Sequence, residues 1–270
     1  MTQKFLAPLQ LSYRVEGQGP WLVMLSANPG DGRDFDAVVP QLAQRFRVLR
    51  LDWPGYGASP APEPPSRAGA SHFLDCFDAF MDALEIPAAH LLGNSVGANV
   101  AVRYALRKPQ RVKSLVLVSP GGFTDHNAVT RAFCSLQGQV WFKRLLGSGF
   151  TRYYLRERNE WTRAMIARAG GEQATPAALQ VNAAVWRSFL DPQHDLRGRC
   201  GGLQVPTLVI SGKHDPVLPP KRDGRNCARA IPGARQLVLD CGHAPFAEVP
   251  QAFLAAVEPF WKELELSHAA

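Results

Sequence analysis

At 270 residues, 46% hydrophobic and 20% charged, the chain has the length and composition of one globular domain able to bury a full core. No apolar run is long enough to span a membrane, and the opening Met1-Thr2-Gln3-Lys4-Phe5 lacks the apolar core of a signal peptide, so the expected location is cytoplasmic. The formal charge of +7 raises nucleic acid as a partner, but the basic residues are scattered, with no interleaved aromatics and no nucleic-acid module, so a small-molecule substrate is expected instead.

In chain order, residues 5–16 read as one or two strands closed by Gly17-Gln18-Gly19-Pro20. Trp21-Leu22-Val23-Met24-Leu25 is a short continuous apolar run, the mark of a strand buried on both faces. The loop Ser26-Ala27-Asn28-Pro29-Gly30-Asp31-Gly32 leads to helical periodicity over 35–46, carried by Phe35, Val38, Val39, Leu42 and Phe46. Strand 47–51 runs into Asp52-Trp53-Pro54-Gly55-Tyr56-Gly57-Ala58-Ser59. The proline-rich stretch 60–69 is a surface loop, and 71–84 is an amphipathic helix with Phe73, Phe77, Phe80 and Leu84 on one face. Strand 89–94, helix 96–108 and strand 114–119 continue the alternation until Pro120-Gly121-Gly122 breaks it. Residues 123–199 are helical in character, without a strong strand. Alternation resumes with strand 207–211, helix 219–230, strand 236–240 and helix 249–264.

Strand and helix in turn predict a doubly wound, mostly parallel sheet. One connecting helix needs only about 15 residues. The surplus is read as a helical cap, 122–199, inserted over the C-terminal edge of the sheet, where α/β folds place ligands, with 1–121 and 200–270 as the core.

The candidate chemistry starts at Gly93-Asn94-Ser95-Val96-Gly97, a Gly-x-Ser-x-Gly between a strand and a helix. The sharp turn raises the Ser95 hydroxyl above the sheet edge, and the flanking glycines let two backbones pass without a Cβ clash. The N–H of Val96, at the positive end of the helix dipole, faces what Ser95 attacks. A serine nucleophile needs a base, and the base needs an acid to orient it. Asp215 lies just past strand 207–211 and His243 just past 236–240, so Ser95, Asp215 and His243 sit at strand ends in the order a triad requires. Taken singly, Asp215 before Pro216 also fits a turn start, and His243 a loop histidine. His214 is the rival base and Asp125 the rival acid.

With these residues in place, the chain resembles the α/β-hydrolase superfamily over nearly all its length, least across 123–199. Asp52-x-Pro54-Gly55-x-Gly57-x-Ser59 looks like that family's Asp-x-Pro-Gly-x-Gly-x-Ser loop, in which Asp52 is read as structural, bonding its own turn. Gly242-His243-x-Pro245-x-x-Glu248-x-Pro250 looks like its histidine loop. One departure stands out. Where the family carries His-Gly-x-Pro after its third strand, this chain has Ser26-Ala27-Asn28-Pro29, so by position Asn28 joins Val96 in supplying backbone N–H groups to an oxyanion hole.

The resemblance implies a serine hydrolase of the carboxylesterase kind, acting on a small hydrophobic ester through an acyl-enzyme on Ser95. Asn94, Trp141, Phe142 and Trp186 are expected to contact substrate. Arg131, Lys143, Arg144, Arg152 and Arg156 read as an exposed cap surface, with carboxylate binding as the alternative. Ser119-Pro120-Gly121-Gly122 also resembles the carbon–carbon bond hydrolases of aromatic ring-cleavage pathways, although Ala244 stands where those carry Trp. A perhydrolase or haloperoxidase would use the same site, whereas an epoxide hydrolase or dehalogenase would need a carboxylate at position 95. A hydrolase-fold binding protein with little turnover is the reading from a different class. No nucleotide or metal motif occurs, so neither a cofactor nor a metal is expected. The five cysteines, odd in number and without Cys-x-x-Cys spacing, fit reduced thiols, and Cys241 is read as a small buried residue at a strand end. Either a monomer or a homodimer is compatible with the chain.

Overall fold

The computed structural model describes residues 2–269, so Met1 of the opening segment lies outside the described residues. Strands β1 (Thr2–Leu6), β2 (Leu11–Glu16), β3 (Trp21–Leu25), β4 (Arg47–Leu51), β5 (Ala89–Asn94), β6 (Val112–Val118), β7 (Thr207–Gly212) and β8 (Arg235–Leu239) form one sheet in the order β1-β2-β4-β3-β5-β6-β7-β8. The β1–β2 and β2–β4 pairs are antiparallel, and every later pair is parallel. Side chains of the central strands divide with period two between two cores. Val23, Leu25, Leu49, Leu51, Leu91, Leu115 and Leu117 face one, and Leu22, Met24, Val48, Leu92, Val116 and Val118 face the other. Covering both faces is what makes these strands mostly apolar.

The first face is covered by α2 (Ala70–Ala83) and α3 (Val96–Arg107), following the short α1 (Val39–Leu42) of the opposite face. Five helices lie between β6 and β7: α4 (Ala128–Gln137), α5 (Val140–Leu146), α6 (Gly149–Tyr154), α7 (Glu160–Gly170) and α8 (Pro176–Ser188). Asn127, Asn159 and Thr175 start α4, α7 and α8 by accepting from backbone N–H groups of the first turn, which satisfies donors a helix start leaves open. The inserted helices are not equally anchored. Ala178, Val181, Ala184 and Val185 of α8 are buried in the same core as Trp53, Tyr56 and Phe73. By contrast, Val129, Leu136, Trp141, Leu145 and Tyr153 of α4–α6 are exposed. After β7 come α9 (Arg225–Ala230), α10 (Pro245–Glu248) and α11 (Pro250–Ala269).

Two expected helices are shorter than their apolar patterns. Over 35–46 the chain makes a 3₁₀ turn, Gly32–Phe35, and then α1, because Pro40 has no N–H and fits only a first helical turn. Phe35, Val38, Val39, Leu42 and Phe46 are nevertheless all buried. Residues 219–230 open with a wide turn, Pro220–Gly224, before α9 begins.

Candidate active site

β5 passes into α3 through a single residue, Ser95, held at φ 56° and ψ −112°. That left-handed φ is unfavourable for a residue with a Cβ, so the surrounding bonds must impose it. The Ser95 N–H donates to the Val118 carbonyl at 3.0 Å, and its own carbonyl accepts from Asn99 and Gly121, each at 3.1 Å. Glycine is required on both sides. A Cβ on Gly93 would lie 2.5 Å from the Gly97 backbone, and one on Gly97 would lie 2.2 Å from the Leu25 carbonyl oxygen. The Ser95 side chain makes no hydrogen bond among the described residues, and it lines a cavity.

Asp215 and His243 meet beside this turn. His243 Nδ1 is 2.7 Å from Asp215 Oδ2, and the other Asp215 oxygen accepts from the Val217 and Leu218 N–H groups at 2.9 and 3.1 Å. Burial disfavours the Asp215 charge, but the imidazole and these N–H groups outweigh it and hold the carboxyl below its ordinary value. Burial likewise disfavours an imidazolium at His243, yet the Asp215 charge and hydrogen bond raise the ring above its ordinary 6.5. With Nδ1 engaged, Nε2 is the nitrogen left to accept a proton. The rivals are occupied elsewhere. His214 Nε2 bonds Asp240 at 2.7 Å on the surface, and Asp125 pairs with Arg197. Cys241 is buried, and burial pushes its thiol well above the ordinary range.

The histidine loop hangs on Glu248, whose role the sequence reading left unassigned. One carboxylate oxygen accepts from the N–H groups of Gly242 (2.9 Å), Arg156 (2.8 Å) and Glu157 (3.0 Å), and the other from Ala244 (3.0 Å). The His243 N–H also donates to the Tyr154 carbonyl at 3.0 Å, and the Tyr154 ring meets the imidazole edge-on at 5.0 Å. One buried carboxylate therefore ties the loop carrying His243 to residues 156–157, between α6 and α7. Its signal in the sequence is its place in Gly242-His243-x-Pro245-x-x-Glu248.

The loop after β3 faces Ser95 from the other side, and Asn28 lines the same cavity as Ser95 and Val96. Among the described residues, neither the Asn28 nor the Val96 backbone N–H has a protein acceptor. Asp52 accepts from Gly32 (2.9 Å) and Ala58 (3.2 Å) and pairs with Arg14 at 3.3 Å, so it braces both its own turn and this loop.

The cavity measures about 270 Å³ and has a largely apolar wall that includes Phe133, Val185, Trp186, Phe189 and Leu218. Thr124, Thr130, His126 and Arg222 add polar groups. Among the described residues, no group of three or more His, Cys, Asp or Glu side chains could hold a metal ion, and no helix is long and apolar enough to cross a membrane.

A family model described as alpha/beta hydrolase fold matches residues 20–250. The chain belongs to the α/β-hydrolase family. It is thus a hydrolase by descent, with the eight-stranded, mostly parallel sheet of that fold. A pimeloyl-[acyl-carrier protein] methyl ester esterase of Nitrosomonas europaea is 30% identical over 263 residues, covering 90% of this chain and 96% of the relative. Among solved structures, a hydrolase of Pseudomonas aeruginosa superposes with a TM-score of 0.83 at 29% identity, over 96% of this chain and 98% of the other. The enol-lactonase of Burkholderia xenovorans gives 0.79 at 26%, over 93% and 96%.

Within this hydrolase the four expected substrate contacts separate. Trp186 is in the cavity wall. Trp141 is not, being 59% exposed, because it shares the outer face of α5 with Leu145 one turn on. Phe142 packs edge-on against Trp141 at 5.7 Å and is likewise outside the wall. Asn94 is buried, its amide donating to the Val118 and His243 carbonyls at 3.1 and 3.3 Å, so it joins the serine turn to the histidine loop. Lys143, expected at the surface, is 5% exposed. Its ammonium lies over the Phe150 and Trp186 rings and donates to Gln137 Oε1.

Proposed function

We propose that this enzyme is a serine hydrolase cleaving a small, hydrophobic ester, with Ser95 as nucleophile, His243 as base and Asp215 as the acid that orients it. The observation carrying this reading is the buried 2.7 Å Asp215–His243 pair beside a strained, unbonded Ser95 in the wall of an apolar cavity. Asp215 fixes the proton on His243 Nδ1, so Nε2 removes the Ser95 proton as Oγ attacks the carbonyl carbon. The Asn28 and Val96 N–H groups, both without acceptors among the described residues, receive the oxyanion. His243 then protonates the leaving alcohol, and water attacks the acyl-enzyme with His243 again as base. The segment 122–199 acts as a cap, with Trp186 and Phe133 shaping the acyl pocket. The ester-cleaving activity named for the Nitrosomonas relative supports the same reaction class.

The test is labelling with a fluorophosphonate probe. Wild type is expected to label, while Ser95→Ala and His243→Ala are not. A folded wild-type protein that stays unlabelled refutes the reading and leaves the binding-protein alternative. An ester and vinylogous-diketone panel then separates ester from carbon–carbon bond cleavage.

A further inference from the structure

Ser26 stands where the family carries histidine, and its buried hydroxyl has no partner among the described residues. The oxyanion loop must therefore be fixed by other groups, and the structure supplies them at the next residues. Trp53 Nε1 donates to the Ser26 carbonyl at 2.9 Å. The Tyr56 hydroxyl donates to Asn28 Oδ1 at 2.6 Å, while the amide nitrogen of Asn28 donates to the Asn182 carbonyl of α8 at 3.2 Å. Both ends of the Asn28 carboxamide are thus engaged, so the side chain cannot turn into the cavity. Burial raises the Tyr56 phenol well above its ordinary range, which keeps it a neutral donor at any working pH.

We infer that Tyr56 is a positioning residue for the oxyanion hole, acting through the Asn28 side chain to set the direction of the Asn28 N–H in place of the missing His-Gly pair. Tyr56 occupies the variable position of Asp52-x-Pro54-Gly55-x-Gly57-x-Ser59, where phenylalanine would fill the same volume without the hydrogen bond. The contact to Asn182 adds that the hole is complete only with α8 seated, and α8 is held there by its own packing. A Cβ on Gly55 would lie 2.8 Å from Val181, so this loop and α8 are in direct apposition.

The inference rests on Ser95 being the nucleophile, and the experiment separates the two. Tyr56→Phe, Asn28→Ala and the double variant are compared with wild type on one ester, with Ser95→Ala alongside. Tyr56→Phe is expected to lower kcat about tenfold with KM within about twofold, because a misdirected donor weakens only the transition state. Asn28→Ala keeps the backbone N–H yet is expected to lose about ten- to a hundredfold. Adding Tyr56→Phe to Asn28→Ala should cost nothing more, and affinity for a trifluoromethyl ketone should fall in step with kcat/KM. A structural role for Tyr56 would instead give independent, multiplicative losses in the two variants and a ketone affinity that does not follow kcat/KM. That result overturns the inference, as does an unchanged kcat in Tyr56→Phe. If Tyr56→Phe does not fold, an unchanged kcat in Asn28→Ala overturns it equally. Activity surviving in Ser95→Ala would refute the nucleophile itself.

Discussion

Replacing Lys143 by methionine should stabilise the protein at neutral pH and destabilise it at high pH. The lysine is 5% exposed, and burial lowers its amine from 10.5 to about 7. That difference corresponds to about 5 kcal/mol of preference for the neutral amine on folding. The Phe150 and Trp186 rings, 5.3 and 5.1 Å from Nζ, return about 1 kcal/mol each to the charged form. The sign follows from linkage. Below pH 7 the amine is charged in both the folded and unfolded states and the full cost is present. From pH 7 to 10.5 only the unfolded state holds the proton, so the cost fades as pH rises. Lys143→Met removes this cost but strands Gln137 Oε1, 2% exposed in its residue, at about 1–3 kcal/mol independent of pH. The variant should therefore gain up to about 2 kcal/mol at pH 6–7 and lose up to about 2 kcal/mol near pH 10. In thermal midpoint that swing is on the order of 5–10 °C. Melting both proteins from pH 6 to 10 provides the measurement. A difference that stays constant across that range would refute the argument, because only a titrating amine can make it change sign.

Two further predictions concern the site. On the proposed mechanism the acid limb of kcat/KM should have its midpoint above 6.5, because His243 would have to be neutral to take the Ser95 proton and Asp215 raises its pKa. Asp215→Asn should lower kcat by about 10⁴-fold and move that limb to lower pH, as read from pH–rate profiles of both enzymes. Glu248→Gln should lower stability by about 2–3 kcal/mol and reduce kcat as well. An amide has one oxygen, and its NH2 would face N–H donors, so it cannot serve the four N–H groups that the carboxylate accepts from, and the loop released carries His243. Thermal melts and steady-state kinetics measure the two effects.

What was legible in the sequence follows from what each pattern reports. Trp21–Leu25, Arg47–Leu51 and Ala89–Asn94 are readable to the residue, because strands covered on both faces carry short, mostly apolar runs bounded by turn or loop residues. Periodicity over 35–46 named the buried side chains but not the backbone hydrogen bonds, which Pro40 redirected. In the inserted helices an aromatic residue carries no mark of direction. Trp141 and Trp186 look equivalent as letters, yet one faces water and the other the cavity. Lys143 was misplaced because its burial depends on two rings and a glutamine from different turns. The position of Asn28 was readable from loop length. What fixes its side chain was not, since Tyr56 and Asn182 reach it from 28 and 154 residues away.

The unequal anchoring of the inserted helices bears on how this enzyme can diversify. Lifting the whole insertion would pull Ala178, Val181, Ala184 and Val185 from the core, at roughly 1–2 kcal/mol for each larger side chain. On the proposed function, substrate is expected to enter along the flank formed by α4, where Val129, Thr130 and Phe133 line the cavity while Val129 and Phe133 also reach the surface. The proposed cap is therefore two parts with different freedoms: a keystone, α8, whose sequence is constrained by the core beneath it, and an awning, α4 and the outer face of α5, whose exposed side chains are not, while α6 is pinned to the histidine loop through Tyr154. On that reading, exchange of the awning alone, leaving the keystone in place, is the expected way to change substrate without refolding the foundation.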